Sequence, residues 1–283
     1  MDRQKRILAI HDISCFGRCS LTVALPIISA VGLEVCPLPT AILSTHTGGF
    51  SGFTYRDLTV DINPIINHWN SLDIGFDAVY SGFLGSSAQL NQVSQIFDNY
   101  KRRNPQTLLM VDPVMGDDGV FYATITTHFI DGMRSLCAKA DIITPNVTEA
   151  CFLLQTDFIK PPYTKEYIEN ILRGLSEIGP KMVVLTGVEI DGGQIGAVSF
   201  DREKNEIKYA LSNIIDGKYH GTGDVFSSTL LAGLMKNKPL AWAARVAVDY
   251  TTNAIVRTKK ADTDSRYGVN FEEGIKDLIA TLA

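Results

Sequence analysis

A short glycine-rich turn, Gly221–Asp224 with the sequence GTGD, carries the residues whose spacing most directly suggests chemistry. It stands between a segment with strand character, Ile207 to Ile215, and an apolar helical segment, Val225 to Met235. The unpaired backbone N–H groups at the start of a helix, together with the helix dipole, bind anions such as phosphate. Glycines let the backbone come close to such an anion. The turn is therefore a candidate anion hole.

Asp224 is the odd residue of this turn, because a carboxylate beside an anion hole repels phosphate. One explanation is that Asp224 is a general base for a hydroxyl nucleophile. The other is that it only stabilises the positive N-terminus of its helix. The four residues of the turn do not decide between these explanations, so the rest of the chain has to.

Acidic and amide side chains follow two other apolar segments. Asp112 opens the sequence DPVMGDDG, and Asn146 and Glu149 lie in TPNVTE. Oxygen ligands without sulfur or histidine suit Mg²⁺, which keeps waters and binds substrate phosphates. The structural alternative is that Asp112 and Asn146 cap turns, and that Glu149 completes an Asn-x-x-Glu capping box. The joint placement of these residues beside a candidate anion hole favours magnesium–nucleotide chemistry.

The first half of the chain offers residues of a different kind. Asp12, His46 and Phe83 lie at the ends of the first three strand-like segments, among glycines and hydroxyl residues. A carboxylate, an imidazole and an aromatic ring suit a pocket for a small polar aromatic molecule. Taken alone, His46 is more typical of a loop histidine and Phe83 of a core residue. The other histidines are interpreted as surface or packing residues: His11, His68, His128 and His220.

These loops need a scaffold, and strand-like and helix-like segments alternate along the chain. The predicted strands are almost continuously apolar, as in Arg6–Ile10 (RILAI) and Met182–Thr186 (MVVLT). Apolar strands followed by helices are typical of a mostly parallel sheet flanked by helices on both faces. In that α/β architecture ligands bind beyond the carboxyl ends of the strands. We therefore expect the loops described above to form one site.

The remaining predicted elements follow the same alternation. The other predicted strands are Val35–Ser44, Ala78–Leu84, Leu108–Val114, Asp141–Thr144 and a hairpin of Ile195–Phe200 with Ile207–Ala210. The other predicted helices are Ser20–Val31, Tyr55–Trp69, Ala88–Arg103, Ile125–Lys139, Thr148–Leu154, Lys165–Ile178, Leu240–Val256 and Phe271–Leu282. The chain has no internal repeat, and its least patterned segment, Gln155–Thr164, is too short to separate two domains. We expect a single domain over residues 1–283.

Composition argues against several classes of protein. With 45% hydrophobic and 20% charged residues, the 283-residue chain is typical of a soluble globular protein. A net charge of −5 without basic blocks argues against nucleic acid and anionic membrane surfaces as partners. No apolar run is long enough for a signal peptide or a membrane span. The 5 cysteines lack a metal-site spacing and are interpreted as reduced thiols of a cytoplasmic protein.

The sequence resembles the ribokinase-like superfamily and, within it, the pyridoxal (vitamin B6) kinases. The resemblance covers nearly the whole chain. The GTGD turn alone indicates the superfamily, whereas the HTG and SGFLGS segments together point to the B6 kinases, in a subgroup that also includes hydroxymethylpyrimidine kinases. The matching segments are Ile7–Asp12 (ILAIHD), Ser44–Gly49 (STHTGG), Tyr80–Ser86 (YSGFLGS), Asp112–Asp117 (DPVMGD), Thr144–Ala150 (TPNVTEA), Val184–Gly187 (VLTG) and Gly221–Phe226 (GTGDVF).

This resemblance implies a ribokinase-like α/β fold, usually as a homodimer. The implied reaction is ATP-dependent phosphorylation of the 5′-hydroxymethyl group of pyridoxal, pyridoxamine or pyridoxine. The alternative on the same fold is a hydroxymethylpyrimidine kinase. Mg²⁺ is the implied cofactor, ATP is the co-substrate, and a monovalent cation such as K⁺ accompanies them.

The resemblance also implies roles on the nucleotide side of the site. Asp224 would be the base for the 5′-hydroxyl, and the anion hole would consist of Gly221, Thr222 and Gly223. The residues around Mg²⁺, directly or through water, would be Asp112, Glu149 and Asn146. The residues of the ATP site would be Asp112, Tyr122, Thr144, Asn146, Thr186 and Gly187, with Thr144 and Thr186 also beside the monovalent cation and Tyr122 partly covering the nucleotide.

On the substrate side the implied pocket residues are Asp12, Cys19, His46, Thr47 and Phe83. Two of them depart from the family pattern. Asp12 stands where a small polar residue such as serine is frequent, and a carboxylate pairs more strongly with a protonated pyridine nitrogen or a substrate amine. Phe83 stands where tyrosine is common. Both departures bear on the preferred vitamer, and Asp12 favours pyridoxamine as an additional substrate.

Two unrelated classes of function are alternatives. A dinucleotide-dependent oxidoreductase needs a GxGxxG fingerprint after the first strand, where this chain reads HDISCFGRCS. A non-catalytic nucleotide or B6 carrier would keep a pocket without needing Asp224. Binding without product formation would distinguish such a carrier from a kinase.

Overall fold

A computed structural model describes residues 3–122 and 127–283 of the chain. The strands within these residues are β1 Arg6–Ser14, β2 Glu34–Leu43, β3 Tyr55–Asp57, β4 Ala78–Ser81, β5 Leu108–Val111, β6 Gly116–Asp117, β7 Val120–Phe121, β8 Ile142–Ile143, β9 Met182–Ile190, β10 Gln194–Asp201 and β11 Glu206–Asn213. The helices are α1 Leu21–Ala30, α2 Thr59–Ser71, α3 Ser87–Arg103, α4 Thr127–Cys137, α5 Val147–Leu154, α6 Lys165–Ile178, α7 Thr222–Met235, α8 Leu240–Lys260 and α9 Ile275–Leu282.

Nine of the strands form one sheet in the order β11-β10-β9-β8-β5-β4-β1-β2-β3. The six central strands, β9 to β2 in that order, are parallel. β3 pairs antiparallel at one edge, and β10 and β11 do so at the other. From β1 the chain moves to β2 on one side and later returns to β4 on the other. This change of direction is where open parallel sheets form their ligand sites.

Helices cover both faces of the sheet and create two cores. Helices α2 to α6 pack on one face, with buried residues such as Ile62, Phe97 and Leu172. Helices α1, α7, α8 and α9 pack on the other, with buried residues such as Val23 and Leu230. The strands supply alternate residues to the two cores, as expected for a sheet buried on both sides. The predicted α/β class and its mostly parallel, helix-covered sheet are confirmed.

The segment Tyr55–Trp69 differs from its prediction as a single helix. Its first residues form the edge strand β3, which pairs with Ala41 to Leu43 of β2, and α2 begins only at Thr59. A strand of three residues has no readable periodicity of its own, and its conformation depends on the neighbouring strand. The predicted helix over Phe271–Leu282 likewise begins as a short 3-10 turn, Glu272–Gly274, before α9.

The first strand is longer than predicted, and this changes the position of Asp12. β1 continues to Ser14, so Asp12 lies within the strand instead of at its end. The pairing with β2 shifts register between His11 and Ile13. Such an irregularity redirects a side chain in the middle of a strand. Asp12 therefore reaches the site from a strand interior.

Strands β6 and β7 form a small hairpin that the sequence analysis did not predict. Its turn residues, Asp118 and Gly119, both have positive φ and are a common hairpin pair. The predicted helix Ile125–Lys139 corresponds to α4, and its residues 125 and 126 lie outside the described part of the chain. Among the described residues, no helix combines the length and the hydropathy needed to cross a membrane.

Candidate active site

Neighbouring parallel strands bring several predicted residues to one edge of the sheet. Backbone hydrogen bonds continue past the strand ends, from Asp112 N–H to the Ser81 carbonyl (2.8 Å) and from Thr144 N–H to the Val111 carbonyl (3.0 Å). Asp112 and Thr144 therefore lie side by side. Asn146 continues this edge through a parallel bridge with Thr186 of β9.

The glycine turn closes against a loop from the first half of the chain. Gly221 has a φ of +76°, and a Cβ at this position would come within 2.0 Å of the Arg18 carbonyl oxygen. Glycine is thus required here both for conformation and for space. At Gly223 an added Cβ would meet nothing within 4 Å among the described residues. Helix α7 starts directly after Gly221, so its first N–H groups lie beside this open space, as an anion hole requires.

Asp224 lies in the first turn of α7 and is partly buried. Burial raises the pKa of its carboxyl group to about 7. A hydrogen bond from the Ser20 backbone lowers this pKa, and the negative charge of Asp12 raises it. A carboxyl group with such a pKa is well suited to accept a proton near neutral pH.

Four carboxyl groups of the site are linked by their charges, because each one raises the pKa of the next. We call these four residues the acidic row: Asp12, Asp224, Asp112 and Glu149. The charge of Asp12 raises the pKa of Asp224, that of Asp224 raises the pKa of Asp112, and that of Asp112 raises the pKa of Glu149. For each of the last three, burial is the largest cause of the increase. The acidic row joins the two halves of the site, and Asp224 lies within it.

Glu149 and Asn146 form the capping box that the sequence suggested as an alternative. The Asn146 side chain accepts the Glu149 N–H (2.8 Å), and Glu149 Oε2 accepts the Asn146 N–H (2.9 Å). Glu149 Oε1 accepts the Met115 N–H (3.0 Å), and Asn146 Nδ2 donates to the Gly116 carbonyl (2.8 Å). The two side chains thereby fix the loop after β5 against the start of α5.

Ser227 is a site residue that the sequence analysis missed. Its hydroxyl donates to Asp112 Oδ2 (3.0 Å) and lies 3.0 Å from Thr144 Oγ1. Ser227 is buried one helical turn after Asp224, so the two residues face the same way. That i, i+3 spacing was the signal that could have identified it.

Asp12 is held by two serine hydroxyls. Ser20 donates to Oδ1 (2.6 Å) and Ser14 to Oδ2 (3.0 Å). Burial raises the pKa of Asp12, whereas these two hydrogen bonds lower it. The sequence analysis did not select either serine. Cys19 lies against the glycine turn, since a Cβ on Gly221 would come 3.7 Å from its Sγ. Burial, with smaller effects from the charges of Asp224 and Asp12, raises the pKa of its thiol.

His46 ties its loop to a distant part of the chain. Its Nε2 donates to the Arg266 carbonyl (2.5 Å), and its Nδ1 accepts the Gly48 N–H (3.1 Å), an arrangement that fixes the neutral tautomer. The ring is buried, and the His220 ring lies 5.2 Å away. These contacts are those of a loop histidine that satisfies backbone groups. A contact between His46 and substrate stays a prediction.

The other predicted residues differ in exposure. Thr47 and Tyr122 are exposed, whereas Phe83 and Thr186 are half-buried. Gly187 has a φ of +65° with open space around an added Cβ. Their roles toward ligands stay predictions.

His11 is a packing residue, as interpreted from the sequence, and is fully buried. Its ring lies 4.3 Å from that of Tyr80, edge to face. Gly82 fits above it, because a Cβ there would come 2.2 Å from Nδ1. Burial lowers the pKa of His11 to about 3, so the ring is neutral beneath the site.

A polar cavity of about 270 Å³ was not foreseen from the sequence. It is lined by the segment that precedes the glycine turn and by the C-terminal end of α8 with the loop that follows: Asp216, Gly217, Lys218, Tyr219, Thr258, Lys259, Asp262, Thr263 and Ser265. The residues of the turn itself are not part of this lining.

Comparison with known proteins identifies the family. The model of the phosphomethylpyrimidine kinase family matches residues 25–268. Pyridoxal kinase PdxY of Aliivibrio fischeri is 28% identical over 282 aligned residues, which cover 93% of this chain and 90% of that protein.

Two solved structures are similar over nearly the whole chain. The first is a Bacteroides thetaiotaomicron protein, named provisionally as a phosphomethylpyrimidine kinase and crystallised with pyridoxal. Its TM-score is 0.92 at 37% identity, covering 98% of this chain and 96% of that one. The second is pyridoxal kinase from Lactobacillus plantarum, with a TM-score of 0.88 at 31% identity, covering 99% and 98% of the two chains.

These similarities confirm the ribokinase-like fold, the resemblance to pyridoxal kinases and the enzyme class, a kinase. The chain belongs to the phosphomethylpyrimidine kinase family.

Proposed function

We propose that this protein is a vitamin B6 kinase, which transfers the γ-phosphoryl group of ATP to the 5′-hydroxymethyl group of pyridoxal, pyridoxamine or pyridoxine. The observation that carries the proposal is the combination of the glycine turn, whose helix starts beside open space, with the acidic row, in which Asp12 affects the pKa of Asp224 and Asp224 affects that of Asp112. The pyridoxal kinases among the relatives, and pyridoxal in the Bacteroides structure, support the B6 substrate.

In the proposed mechanism Asp224 accepts the proton of the substrate hydroxyl as the oxygen attacks the γ-phosphorus. The bond from the γ-phosphorus to the β,γ-bridging oxygen breaks, and ADP leaves with that oxygen. The N–H groups at the start of α7, around Gly221, Thr222 and Gly223, stabilise the negative charge on the transferring group. Positioning accounts for most of phosphoryl-transfer catalysis. The packing of Gly221 against the Arg18 carbonyl fixes the anion hole relative to the substrate loop.

Mg²⁺ is the proposed cofactor, and the chemistry of Asp112 and Glu149 fits it. Both carboxyl groups are buried, and the hydrogen bonds that they accept come from a hydroxyl and from backbone N–H groups. A cation would therefore relieve their mutual repulsion. The described residues contain no cluster of three or more His, Cys, Asp or Glu side chains at metal-binding spacing. Waters and phosphate oxygens complete the coordination of Mg²⁺ in such nucleotide sites.

The proposed roles within this arrangement differ between Asp112 and Glu149. Asp112 has one carboxylate oxygen bonded to Ser227, and its other oxygen would face the ion. Both oxygens of Glu149 accept backbone N–H groups, so Glu149 would act through water. When bound, Mg²⁺ would neutralise the phosphate oxygens. Thr144 and Thr186 would hold K⁺ and phosphate oxygens, and Asn146, Gly187 and Tyr122 would belong to the ATP site.

On the substrate side we propose that Asp12 binds a protonated nitrogen of the vitamer. It is buried and bonded only to serine hydroxyls in the described structure, so a cation would offset its charge. The other proposed pocket residues are Cys19, His46, Thr47 and Phe83. The location of Cys19 near both Asp12 and Asp224 supports its assignment.

The proposed functional unit is a cytoplasmic homodimer of a single domain spanning residues 1–283. The sheet draws strands from Arg6 to Asn213, and α9 packs on the same core as α1, which supports one domain. All five cysteines are free, which supports a reducing compartment. The homodimer follows from the resemblance to B6 kinases and is tested by light scattering of the purified protein.

A panel of four acceptors with Mg-ATP tests the proposed function. We expect pyridoxal, pyridoxine and pyridoxamine to give phosphorylated products, identified by mass spectrometry, faster than hydroxymethylpyrimidine does. Hydroxymethylpyrimidine is the second candidate substrate, because the matching family is named for its phosphorylated form. Product from hydroxymethylpyrimidine alone would replace the proposal. Binding of pyridoxal without product would indicate a carrier.

A further inference from the structure

Ser20 adopts a backbone conformation that is unusual for a residue with a side chain. Its φ of 55° and ψ of −128° are close to those of the first central residue of a type II′ turn, where glycine is the usual residue. Ser20 directly precedes α1 and forms an isolated antiparallel bridge with Ile13. Because a Cβ is strained in this conformation, a serine here needs a compensating contact.

The hydroxyl of Ser20 makes that contact. It donates to Asp12 Oδ1 at 2.6 Å, while Ser14 donates to Oδ2 at 3.0 Å. Ser20 is 7% exposed and Asp12 is 5% exposed, so water competes weakly for these bonds. Hydrogen bonds to a carboxylate are stronger than those between neutral groups. The two serines together fix both oxygens of Asp12, and only Ser20 does so from a strained backbone.

The loop that contains Ser20 packs on the glycine turn that carries Asp224. A Cβ on Gly221 would lie 2.0 Å from the Arg18 carbonyl oxygen and 3.7 Å from Cys19 Sγ. The Ser20 backbone also lowers the pKa of Asp224 and so favours the charged form of that group. Ser20 thus bonds one carboxylate with its side chain and belongs to the loop that packs against the turn of the other.

We propose that Ser20 is a positioning residue. It holds Asp12 in the orientation needed to bind the acceptor substrate, at a fixed position relative to Asp224. It acts through Asp12 and does not touch the reacting atoms. The proposal rests on the proposed function, because it takes Asp12 to face the acceptor. It explains why this chain has a serine at a backbone position suited to glycine.

Two substitutions distinguish the effect of the Ser20 hydroxyl from the effect of its strained backbone. Ser20→Ala removes the hydroxyl and keeps the strained Cβ, whereas Ser20→Gly removes the hydroxyl and relaxes the backbone. We expect both variants to raise the KM for pyridoxal about tenfold, the usual effect of losing a hydrogen bond to a charged group. The KM for ATP should not change. Ser71→Ala, which removes an exposed hydroxyl bonded to the His68 carbonyl, is the matched control and should leave both constants unchanged.

A double-mutant cycle with Asp12→Ala, which removes both acceptor oxygens, tests whether Ser20 acts through Asp12. We expect Ser20→Ala to change the KM for pyridoxal by less than about twofold when Asp12 is already alanine, because the two residues act as one unit. The same factor in both backgrounds would indicate a merely structural role and overturn the proposal. An unchanged KM for pyridoxal in both Ser20 variants would also overturn it. If Ser20→Ala does not fold, Ser20→Gly serves in the cycle.

An error in the proposed function would give a different result from an error in the role of Ser20. If the wild type phosphorylates hydroxymethylpyrimidine and no B6 vitamer, the proposed function is wrong, and the same cycle is run with hydroxymethylpyrimidine. A selective increase in the KM for that acceptor would still support Ser20 as a positioning residue, and its absence would overturn this role.

Discussion

The two halves of the site are held in different ways. The phosphate side, which we define as Asp112, Thr144, Glu149 and Ser227, is fixed by strand ends, a capping box and a helix. The acceptor side, defined as Asp12, Ser20 and His46, is fixed by hydrogen bonds within one short segment, from Ser14 and Ser20 to Asp12, and by one contact to a distant loop. That contact, from His46 to the Arg266 carbonyl, joins residues 220 positions apart. The phosphate side is thus built on regular elements of the fold, whereas the acceptor side depends on an irregular strand and on loops.

Asp224 is influenced by Asp12 of the acceptor side and itself influences Asp112 of the phosphate side, so its substitution should have the largest effect. We expect Asp224→Asn to lower kcat by roughly 100- to 10,000-fold, the usual contribution of a general base. The Kd for ATP should remain close to that of the wild type. Asp61→Asn is the matched control, because Asp61 is also the third residue of a helix, α2, and is exposed. Equal effects of the two substitutions would mean that Asp224 only stabilises its helix.

The pH dependence of the reaction should reflect the same residue. Burial raises the pKa of Asp224 to about 7, and a base must be unprotonated to accept a proton. We therefore expect kcat/KM for pyridoxal to decline below about pH 7 and to approach a tenfold decrease per pH unit. Because the folded-state pKa is raised, deprotonation of Asp224 lowers the free energy of unfolding as the pH rises from about 4 to about 7. A flat kcat/KM profile between about pH 5 and about pH 8 would contradict the assignment of Asp224 as base.

Ser227 tests the phosphate side alone. We expect Ser227→Ala to lower kcat/KM for ATP about tenfold, because Asp112 loses a hydroxyl donor and Thr144 loses its link to Asp112. The KM for pyridoxal should change little. Ser228→Ala is the control, since the Ser228 hydroxyl is buried without a hydrogen-bond partner among the described residues. A comparable loss in both variants would point to general packing of α7.

His46 tests the acceptor side and should have the smallest effect. His46→Ala removes one hydrogen bond between two loops and one within its own loop, so we expect a rise of about threefold in the KM for pyridoxal and no change in the KM for ATP. His68→Ala, at an exposed position of α2, is the control. An increase in the KM for ATP of the same size would show that the two sides are not independent.

The phosphate side was largely predictable because its residues follow apolar strands directly. Asp112, Asn146 and Glu149 are located by local sequence, and parallel strands bring their carboxyl ends together. Both interpretations of Glu149 retain support, since the capping box exists and a buried carboxyl group lies beside Asp112. The same reasoning could have identified Ser227, because it lies one helical turn after Asp224.

The acceptor side was less predictable because its geometry depends on irregular backbone and on one long-range contact. A single sequence contains no sign that His46 meets Arg266, or that β1 continues through Asp12 with a change of register. The positive φ of Ser20 was not predictable for a different reason. Glycine, and not serine, is the residue expected in this backbone conformation. The edge strand β3 was missed because pairing with β2 determines its conformation.

A competition assay tests the central claim most directly, namely that the acidic row serves phosphoryl transfer to a B6 vitamer. Equal concentrations of pyridoxal and hydroxymethylpyrimidine are incubated together with limiting enzyme and Mg-ATP, and both phosphorylated products are quantified by mass spectrometry. The ratio of initial rates gives the ratio of the two kcat/KM values. We predict that pyridoxal 5′-phosphate predominates by about tenfold or more. Predominance of hydroxymethylpyrimidine phosphate, or ADP formation without either product, would contradict the account.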